Sequence, residues 1–212
     1  MSEPIEIEAK FVCPAGLTAT DVSRALEGMG LSVRWHEPQT QTDTYFDTTD
    51  GALRAANASL RLRRLGAMCL GTLKLPKAQS GAVMERQEIE WDLPPDDAPA
   101  WASSADGFPA VPPEVAAQLQ EHGVQSVTPV LTVLTVRRKG EAMGADGFVA
   151  EVALDESTFT GRRGEAKQRE LELELKTGSP SRMCEVAQAL GAQYGLQPSA
   201  QSKFAAGMEQ VG

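Results

Sequence analysis

The chain has 212 residues, of which 42% are hydrophobic and 23% are charged, and its formal net charge is −9 at pH 7. Such a composition is typical of a folded protein with a sizeable core and excludes a disordered chain. The acidic balance disfavours general binding to nucleic acid, which needs a basic surface, but it does not exclude a local basic pocket.

The first half of the chain is predicted to consist mainly of strands. The strict alternation of apolar and charged residues in IEIEAKF, residues 5–11, predicts a strand over residues 3–13. A threonine cap, an apolar stripe and a closing glycine predict a helix over residues 17–30. Two of the later strands are expected to form a hairpin across Gly66. The other elements expected here are strands at 33–48 (interrupted at Pro38), 58–65, 68–76 and 82–93, and a short helix or turn at 50–57.

The second half is predicted to combine a loop, three strands and two helices. Residues 94–112 are rich in Pro, Asp, Ser and Ala, which predicts a loop. In PPEVAAQLQEHG, residues 112–123, proline at the start and glycine past the end are typical of a helix. Many strands with a few helices between them predict an α+β fold, organised as a single domain over residues 1–212. The other expected elements are strands at 128–140, 147–158 and 167–178, a serine-capped helix at 179–195 and a polar tail without a defined element.

The cysteines and the N-terminal segment indicate the cellular compartment. Cys13, Cys69 and Cys184 are odd in number and far apart, so we expect free thiols in a reducing cytoplasm and no zinc site. The segment MSEPIEIEAK has neither the basic nor the apolar region of a secretory signal. No apolar run approaches the roughly 20 residues that a membrane-spanning helix needs. We therefore predict a cytoplasmic protein without a membrane partner.

One face of nearly every predicted strand is charged. Glu6, Glu8 and Lys10 share one face of the first strand. A single strand of this kind is usually no more than a solvated face, which normally mixes charges with Ser, Thr, Asn and Gln. Here seven strands show nearly pure charge, and the signs segregate by strand, which favours a binding surface. The other charged positions on these faces are Arg61, Arg63, Lys74, Arg86, Glu88, Glu90, Arg137, Lys139, Glu151, Asp155, Glu170, Glu172, Glu174 and Lys176.

Seven or eight antiparallel strands can close into a barrel, which removes exposed strand edges. Amphipathic helices would cover the apolar strand faces from outside, so the charged faces would line the lumen. Buried charges are costly unless they pair or meet a ligand. Rows of Arg and Lys opposite rows of carboxylates suit a polyphosphate bound with a divalent metal ion. The alternative, a sheet with one solvated face, predicts no affinity for phosphate or metal.

The motifs of the chain, in their order, resemble those of a known family. Glu6-Ile-Glu8-Ala-Lys10 matches the ExExK signature of the CYTH superfamily, the triphosphate tunnel metalloenzymes. The resemblance covers nearly the whole chain and is closest to bacterial inorganic triphosphatases, without the CHAD domain that many of them carry. It implies a closed eight-stranded antiparallel barrel with a charged lumen and helices packed on the outside. The further matching segments are DTYFDT, LRLRR, TLKLP, ERQEIEW, VALDES, ELELELK and QSKF.

The same resemblance implies roles for individual residues. Lys10, Glu6 and Glu8 would be catalytic, and Glu88, Glu90 and Glu174 would line the tunnel. The implied phosphate-binding residues are Lys10, Arg61, Arg63, Lys74, Arg86, Arg137 and Lys203. The implied metal ligands, direct or through water, are Glu6, Glu8, Asp155, Glu170 and Glu172.

The expected activity is hydrolysis of inorganic triphosphate to diphosphate and phosphate with Mg²⁺ or Mn²⁺. The expected partners are a small-molecule substrate and at most a second copy of the chain, with no nucleic acid. Three alternatives remain open on the same scaffold: a class IV-type adenylyl cyclase, a thiamine or nucleoside triphosphatase, and a non-catalytic module that binds polyphosphate. No base-recognition motif is evident, and the retained metal carboxylates disfavour the non-catalytic alternative.

Overall fold

A computed structural model describes residues 7–80, 83–94 and 111–212, with the backbone alone for residues 76–80 and 83–87. Over these residues the chain forms ten strands and five helices. The strands are β1 Glu8–Cys13, β2 Leu31–Trp35, β3 Gln39–Asp47, β4 Ser59–Leu65, β5 Met68–Ser80, β6 Val83–Leu93, β7 Thr128–Gly144, β8 Val149–Gly161, β9 Gly164–Thr177 and β10 Gln197–Pro198. The helices are α1 Ala19–Gly28, α2 Ala52–Ala55, α3 Pro113–Glu121, α4 Pro180–Tyr194 and α5 Lys203–Val211. Of the helices described, none is both long and apolar enough to cross a membrane.

The described strands form one open sheet in the order β10-β1-β9-β8-β7-β3-β4-β5-β6, and β2 pairs with β7 outside this path. β4 runs antiparallel to both β3 and β5, and β1 runs antiparallel to β9. The α+β class is confirmed, but the predicted closed barrel of eight strands is wrong for the residues described. Alternation along a strand reports its two faces and says nothing about whether the outermost strands pair. The structure has ten strands where eight were predicted, because β2 and β3 are separate strands and because the tail contains the short strand β10.

The chain divides into two compact units. Unit 1 contains the described residues within 1–39, 135–158 and 167–201. Unit 2 contains those within 40–134, 159–166 and 202–212. The long strands β7, β8 and β9 contribute residues to both units.

The core of unit 1 forms where α1 and α4 cover the apolar face of the sheet. Leu171 and Leu173 of β9 are completely buried, as are Leu26 of α1 and Leu190 of α4, and all four belong to one hydrophobic cluster. Leu171 and Leu173 alternate with the glutamates of ELELELK along β9. Burial of the leucine face therefore leaves the carboxylates on the opposite face of the strand. The expectation that helices cover the leucine faces is confirmed for this unit.

Helix α1 begins with a capping box. The backbone N–H and the hydroxyl of Thr18 both donate to Asp21 Oδ2, at 3.0 and 2.6 Å, and the backbone N–H of Asp21 donates to the Thr18 hydroxyl at 3.2 Å. The hydrogen bonds from Thr18 lower the pKa of Asp21. The box satisfies backbone donors that the first turn of a helix otherwise leaves unpaired.

Changing Thr18 to Ala should lower the free energy of unfolding by about 1 kcal/mol, the usual cost of losing an N-cap. Since the pKa of Asp21 is lowered in the folded state, its stabilising contribution is present above the unfolded-state pKa and is lost as the pH falls. The difference between variant and wild type should therefore shrink in acid. Urea unfolding at neutral and acidic pH measures this, with Thr20→Ala on the same helix as control. An equal loss in both variants would contradict the capping role.

The main core of unit 2 lies between α2, α3 and the apolar faces of β4 and β5. Leu53 of α2, Leu119 of α3, Leu60 of β4 and Leu73 of β5 are completely buried in one cluster. Asp47 at the end of β3 is also buried and accepts backbone N–H groups of Leu53 and Arg54 at 2.9 and 3.1 Å. The Asp47 carboxylate therefore binds the backbone at the start of α2. Because the core buries the apolar faces of β4 and β5, their opposite faces carry the charged residues.

Gly71 of β5 lies directly beneath the ring of Trp91 of β6, its partner in the antiparallel register. A Cβ atom at position 71 would come within 2.1 Å of Trp91 Cε2. We expect Gly71→Ala to lower the free energy of unfolding by about 1–3 kcal/mol, the usual cost of overpacking. Chemical denaturation measures the loss, and Gly16→Ala is the control because, apart from Gly16 and its chain neighbours, no described residue has an atom within 4 Å of its Cβ position. Equal stability of the two variants would contradict the close packing.

Helix α5 packs differently from the other helices. Its Phe204 stacks on Tyr45 of β3, with ring centroids 5.0 Å apart, in a cluster with Leu131, Val133 and Phe159. Tyr45 follows Asp43 by two residues, so both side chains lie on the same face of β3. The prediction that all helices pack on the outer, apolar faces is therefore wrong for α5, which covers part of a charged face. This helix was missed because the tail was interpreted as polar as a whole, although five of the nine residues of α5, KFAAGMEQV, are apolar.

The three cysteines are free, as predicted. Cys13 and Cys69 are buried and Cys184 is exposed. Burial raises the pKa of the Cys13 thiol to about 11, so this thiol stays protonated at neutral pH and behaves as a small core residue.

Candidate functional site

Three carboxylates of unit 1 form an acidic cluster, which comprises Asp155 of β8 and Glu170 and Glu172 of β9. One ligand oxygen from each lies within 4.8 Å of those of the other two. Asp155 and Glu170 are completely buried, and the Glu172 side chain keeps 18% of its exposure. Carboxylates crowded in this way repel one another unless cations lie beside them.

Two basic side chains of unit 1 contact the acidic cluster. Arg137 of β7 donates from Nε and Nη2 to the two oxygens of Asp155, each at 2.7 Å, and from Nη2 to Glu172 Oε2. Lys10 Nζ of β1 lies 3.3 Å from Glu172 Oε1. Burial alone would lower the pKa of Arg137, but the hydrogen bonds and charges of Asp155 and Glu172 outweigh it and raise that pKa. The guanidinium is therefore permanently charged.

The strand registers explain how the ExExK segment reaches the cluster. In the antiparallel pair of β1 and β9, Lys10 lies opposite Glu172 and Glu8 lies opposite Glu174. Glu8 is exposed and lies outside the acidic cluster. Glu6, the other predicted ligand from this segment, lies outside the described residues. Of the predicted first-strand residues, the structure thus brings Lys10 to the cluster.

Hydroxyl groups continue the same strand faces. The hydroxyls of Thr135 and Ser157 lie 3.0 Å apart and both residues are buried. They are two residues from Arg137 and Asp155 respectively, so alternation places them on the faces that carry the cluster. The sequence interpretation missed them, because a lone Thr or Ser in a strand carries no specific signal.

A second charged group, in unit 2, centres on Asp43 of β3. Arg63 donates from Nε and Nη2 to the two oxygens of Asp43 at 2.7 and 2.8 Å. Arg61 Nη1 lies 3.8 Å from Asp43 Oδ2. Asp43 is completely buried, whereas the Arg63 side chain retains 24% exposure. Asp43 was not predicted as a site residue, although the register of β3 and β4 places it directly opposite Arg63.

The unit 2 group extends across β5 and β6. Arg61 Nη2 donates to the buried hydroxyl of Thr72 at 3.1 Å, and that hydroxyl donates to Glu90 Oε1 at 3.2 Å. Lys74 Nζ lies 2.9 Å from Glu88 Oε2. One face of the sheet formed by β4, β5 and β6 therefore carries four of the charged residues singled out in the sequence: Arg61, Lys74, Glu88 and Glu90.

Two further residues predicted to bind phosphate, Arg86 and Lys203, also lie in unit 2. Arg86 lies on β6 at the position opposite Pro76 in the register, with its side chain outside the description. Lys203 is the first residue of α5 and is buried there. The structure thus locates both residues on an element of the fold, and phosphate binding by Arg86 and Lys203 stays a prediction.

The acidic cluster fits a divalent cation. Its donors are hard carboxylate oxygens, which Mg²⁺ and Mn²⁺ prefer. Lys10 and Arg137 contact Glu172, and Arg137 also contacts Asp155, so basic side chains already offset part of the carboxylate charge there. The pairs of unit 2 contain as many basic as acidic side chains, namely Arg61, Arg63 and Lys74 with Asp43, Glu88 and Glu90.

The family follows from comparison with known proteins. The model of the CYTH domain matches residues 4–208, and the chain therefore belongs to the CYTH family, as its motifs predicted. A search of curated proteins gave no match.

Solved structures show the same fold. A candidate adenylyl cyclase from Hippeastrum, described as having a dominant triphosphatase activity, is 20% identical with a TM-score of 0.61, over 98% of this chain and 97% of that one. A candidate adenylate cyclase from Bacillus halodurans is 21% identical with a TM-score of 0.61, over 94% of each chain. At these identities the likeness concerns the fold alone.

Proposed function

We propose that the protein is a metal-dependent triphosphatase that hydrolyses inorganic triphosphate to diphosphate and phosphate. The observation that carries the proposal is the acidic cluster of Asp155, Glu170 and Glu172 with Arg137 and Lys10 in contact. Carboxylates that can hold a divalent ion and basic groups that can bind phosphate thus occur side by side on a CYTH fold. The triphosphatase activity described for the Hippeastrum protein supports a hydrolase of this class.

Asp155, Glu170 and Glu172 would hold Mg²⁺ or Mn²⁺, and Glu6 and Glu8 stay proposed as further ligands, directly or through water. When bound, the ion would neutralise phosphate charge and act as a Lewis acid. Burial of Asp155 and Glu170 fixes their positions, which reduces the reorganisation that binding requires.

The basic side chains would bind the phosphate oxygens. A guanidinium offers donors in a planar fork that matches two phosphate oxygens, as it matches the carboxylate of Asp43 at Arg63. In hydrolysis, water bonds to the terminal phosphorus and the bond to the bridging oxygen breaks. Lys10 would orient that water or give a proton to the leaving diphosphate. The proposed phosphate-binding residues are Lys10, Arg61, Arg63, Lys74, Arg86, Arg137 and Lys203.

An adenylyl cyclase is the second candidate, because both structural relatives carry that name. A cyclase must also hold an adenine base, which in proteins often stacks on an aromatic ring. Tyr45 lies on the charged face of β3, but its ring is buried against Phe204. Trp91 packs over Gly71 on the apolar side. Neither of these two described rings is placed to stack a base, which supports triphosphate over ATP as the substrate.

The proposal predicts that kcat/KM for inorganic triphosphate exceeds that for ATP by at least about tenfold, a difference of ~1.4 kcal/mol in transition-state binding. A bare triphosphate has no organic group to place and presents two equivalent ends. Phosphate release from both substrates, assayed side by side at saturating Mg²⁺ and then Mn²⁺, measures the ratio. Faster turnover of ATP, with cyclic AMP as the main product, would establish the cyclase instead.

A further inference from the structure

We propose that Arg137 and Lys10 occupy oxygens of the acidic cluster and leave them when a divalent ion binds, which makes both side chains available to phosphate. This inference rests on the proposed function and adds an order of events to it. Metal and triphosphate would bind cooperatively, because these two side chains exchange their carboxylate partners for phosphate oxygens.

The contacts of Arg137 are the first reason. Its guanidinium donates to both oxygens of Asp155 and to one oxygen of Glu172. The other oxygen of Glu172 lies beside Lys10 Nζ. Two of the three carboxylates that can ligate an ion are therefore already bound through both of their oxygens to positively charged side chains. A metal ion at the same oxygens would lie next to a like charge, which disfavours retention of these contacts.

The charge of these contacts is the second reason. Arg137 lies against Asp155 and Glu172, and Lys10 lies against Glu172. A divalent ion at those oxygens would add two positive charges beside two basic side chains, and movement of these side chains away from the ion relieves that repulsion. A phosphate group can then accept their hydrogen bonds, so that the charges stay paired.

The exposure of the two side chains is the third reason. Arg137 and Lys10 keep 17% and 16% of their side-chain exposure, whereas Asp155 is completely buried. The Asp155 carboxylate is thus enclosed by the protein, whereas the side chains of Arg137 and Lys10 are each partly exposed to solvent. Long, flexible basic side chains that are partly exposed can turn towards an arriving anion without a change of backbone.

The test is the affinity of the substrate-free protein for Mn²⁺, measured by calorimetry or by the electron paramagnetic resonance signal of free Mn²⁺. If Arg137 and Lys10 compete with the ion, their removal should tighten Mn²⁺ binding. We expect Arg137→Met and Lys10→Met each to lower the dissociation constant at least about fivefold, the lower limit of typical coupling between sites. This readout requires no turnover.

Lys139→Met is the matched control. Lys139 lies two residues after Arg137 on the same strand, carries the same charge and pairs with Glu151 at 2.8 Å, outside the acidic cluster. General loss of positive charge would tighten Mn²⁺ binding equally in this variant, whereas specific competition predicts a much smaller change. Lys10→Met retains the pair of Arg137 with Asp155, so it remains informative if Arg137→Met does not fold, which thermal unfolding reveals.

The outcomes separate this inference from the proposed function. Normal Mn²⁺ binding by the wild type with unchanged or weaker binding by the folded Lys10→Met and Arg137→Met variants would overturn the exchange and leave the metal site standing. Tightening equal to that of Lys139→Met would also overturn it. Absence of Mn²⁺ binding in every protein would overturn the metal site of the proposed function itself.

Discussion

Triphosphate hydrolysis should fall at least about 100-fold when Glu172 is changed to Gln, and excess chelator should abolish it in the wild type. Glu172 contributes one of three carboxylates whose oxygens lie within 4.8 Å of one another, so its loss removes charge that a divalent ion needs. A bound ion stabilises transition-state charge by several kcal/mol, and each 1.36 kcal/mol is a factor of about ten in rate. Phosphate release under saturating Mg²⁺ measures the effect.

Glu156→Gln is the control for this variant. Glu156 follows Asp155 on β8, is exposed, and pairs with Arg169 at 2.5 Å on the opposite strand face. The change removes the same charge from the residue next to Asp155 and leaves the three carboxylates of the cluster intact, so activity should stay near that of the wild type. Full activity of Glu172→Gln, or equal losses in both variants, would contradict a metal-binding role for the cluster.

Changing Arg63 to Ala should destabilise the fold by about 3 kcal/mol, in addition to weakening phosphate binding. Arg63 supplies both short hydrogen bonds to the completely buried Asp43. Removal of one partner of a buried pair leaves an uncompensated charge, which typically costs 3–5 kcal/mol. We take the lower end because the Arg63 side chain is 24% exposed and Arg61 lies 3.8 Å from Asp43. Urea unfolding measures the loss.

A double variant separates the two roles of Arg63. Replacing both partners, Arg63→Met with Asp43→Leu, should recover most of the stability, because a buried pair and a packed apolar pair are often equivalent. The double variant should still bind triphosphate more weakly than the wild type, by about 1.5–3 kcal/mol for one lost charge-assisted hydrogen bond. Arg64→Ala, at an exposed neighbouring position, should change neither property. Wild-type affinity of the double variant would remove Arg63 from the phosphate-binding set.

The sequence predicted the strand faces well because alternation has a direct physical cause. In β9, Leu171 and Leu173 are buried, and Glu172 lies on the opposite face with Arg137 and Lys10. Burial of an apolar face imposes the period of two, so one strand read in isolation reports both faces. The order of motifs likewise predicted the family, which the match over residues 4–208 confirms.

Properties that depend on pairs of distant residues were not predicted. The burial of Asp43 follows from pairing with Arg63, twenty positions away, and an aspartate alone in a strand gives no sign of it. The open order of the sheet depends on edges that alternation does not report. Helix α5 was missed because the tail was interpreted as polar as a whole, although Phe204, Ala206 and Val211 are buried in one hydrophobic cluster. The single domain and the roles of Glu6 and Arg86 stay predictions.

The most direct test is phosphorus NMR of inorganic triphosphate incubated with the wild-type protein and Mg²⁺ or Mn²⁺, alongside the same mixture with excess chelator. Our proposal predicts that the triphosphate signals disappear and that diphosphate and phosphate accumulate in equal amounts. In the mixture with chelator, the triphosphate signals should persist unchanged. Triphosphate that persists with both metals, or that is hydrolysed equally fast in chelator, would contradict a metal-dependent triphosphatase.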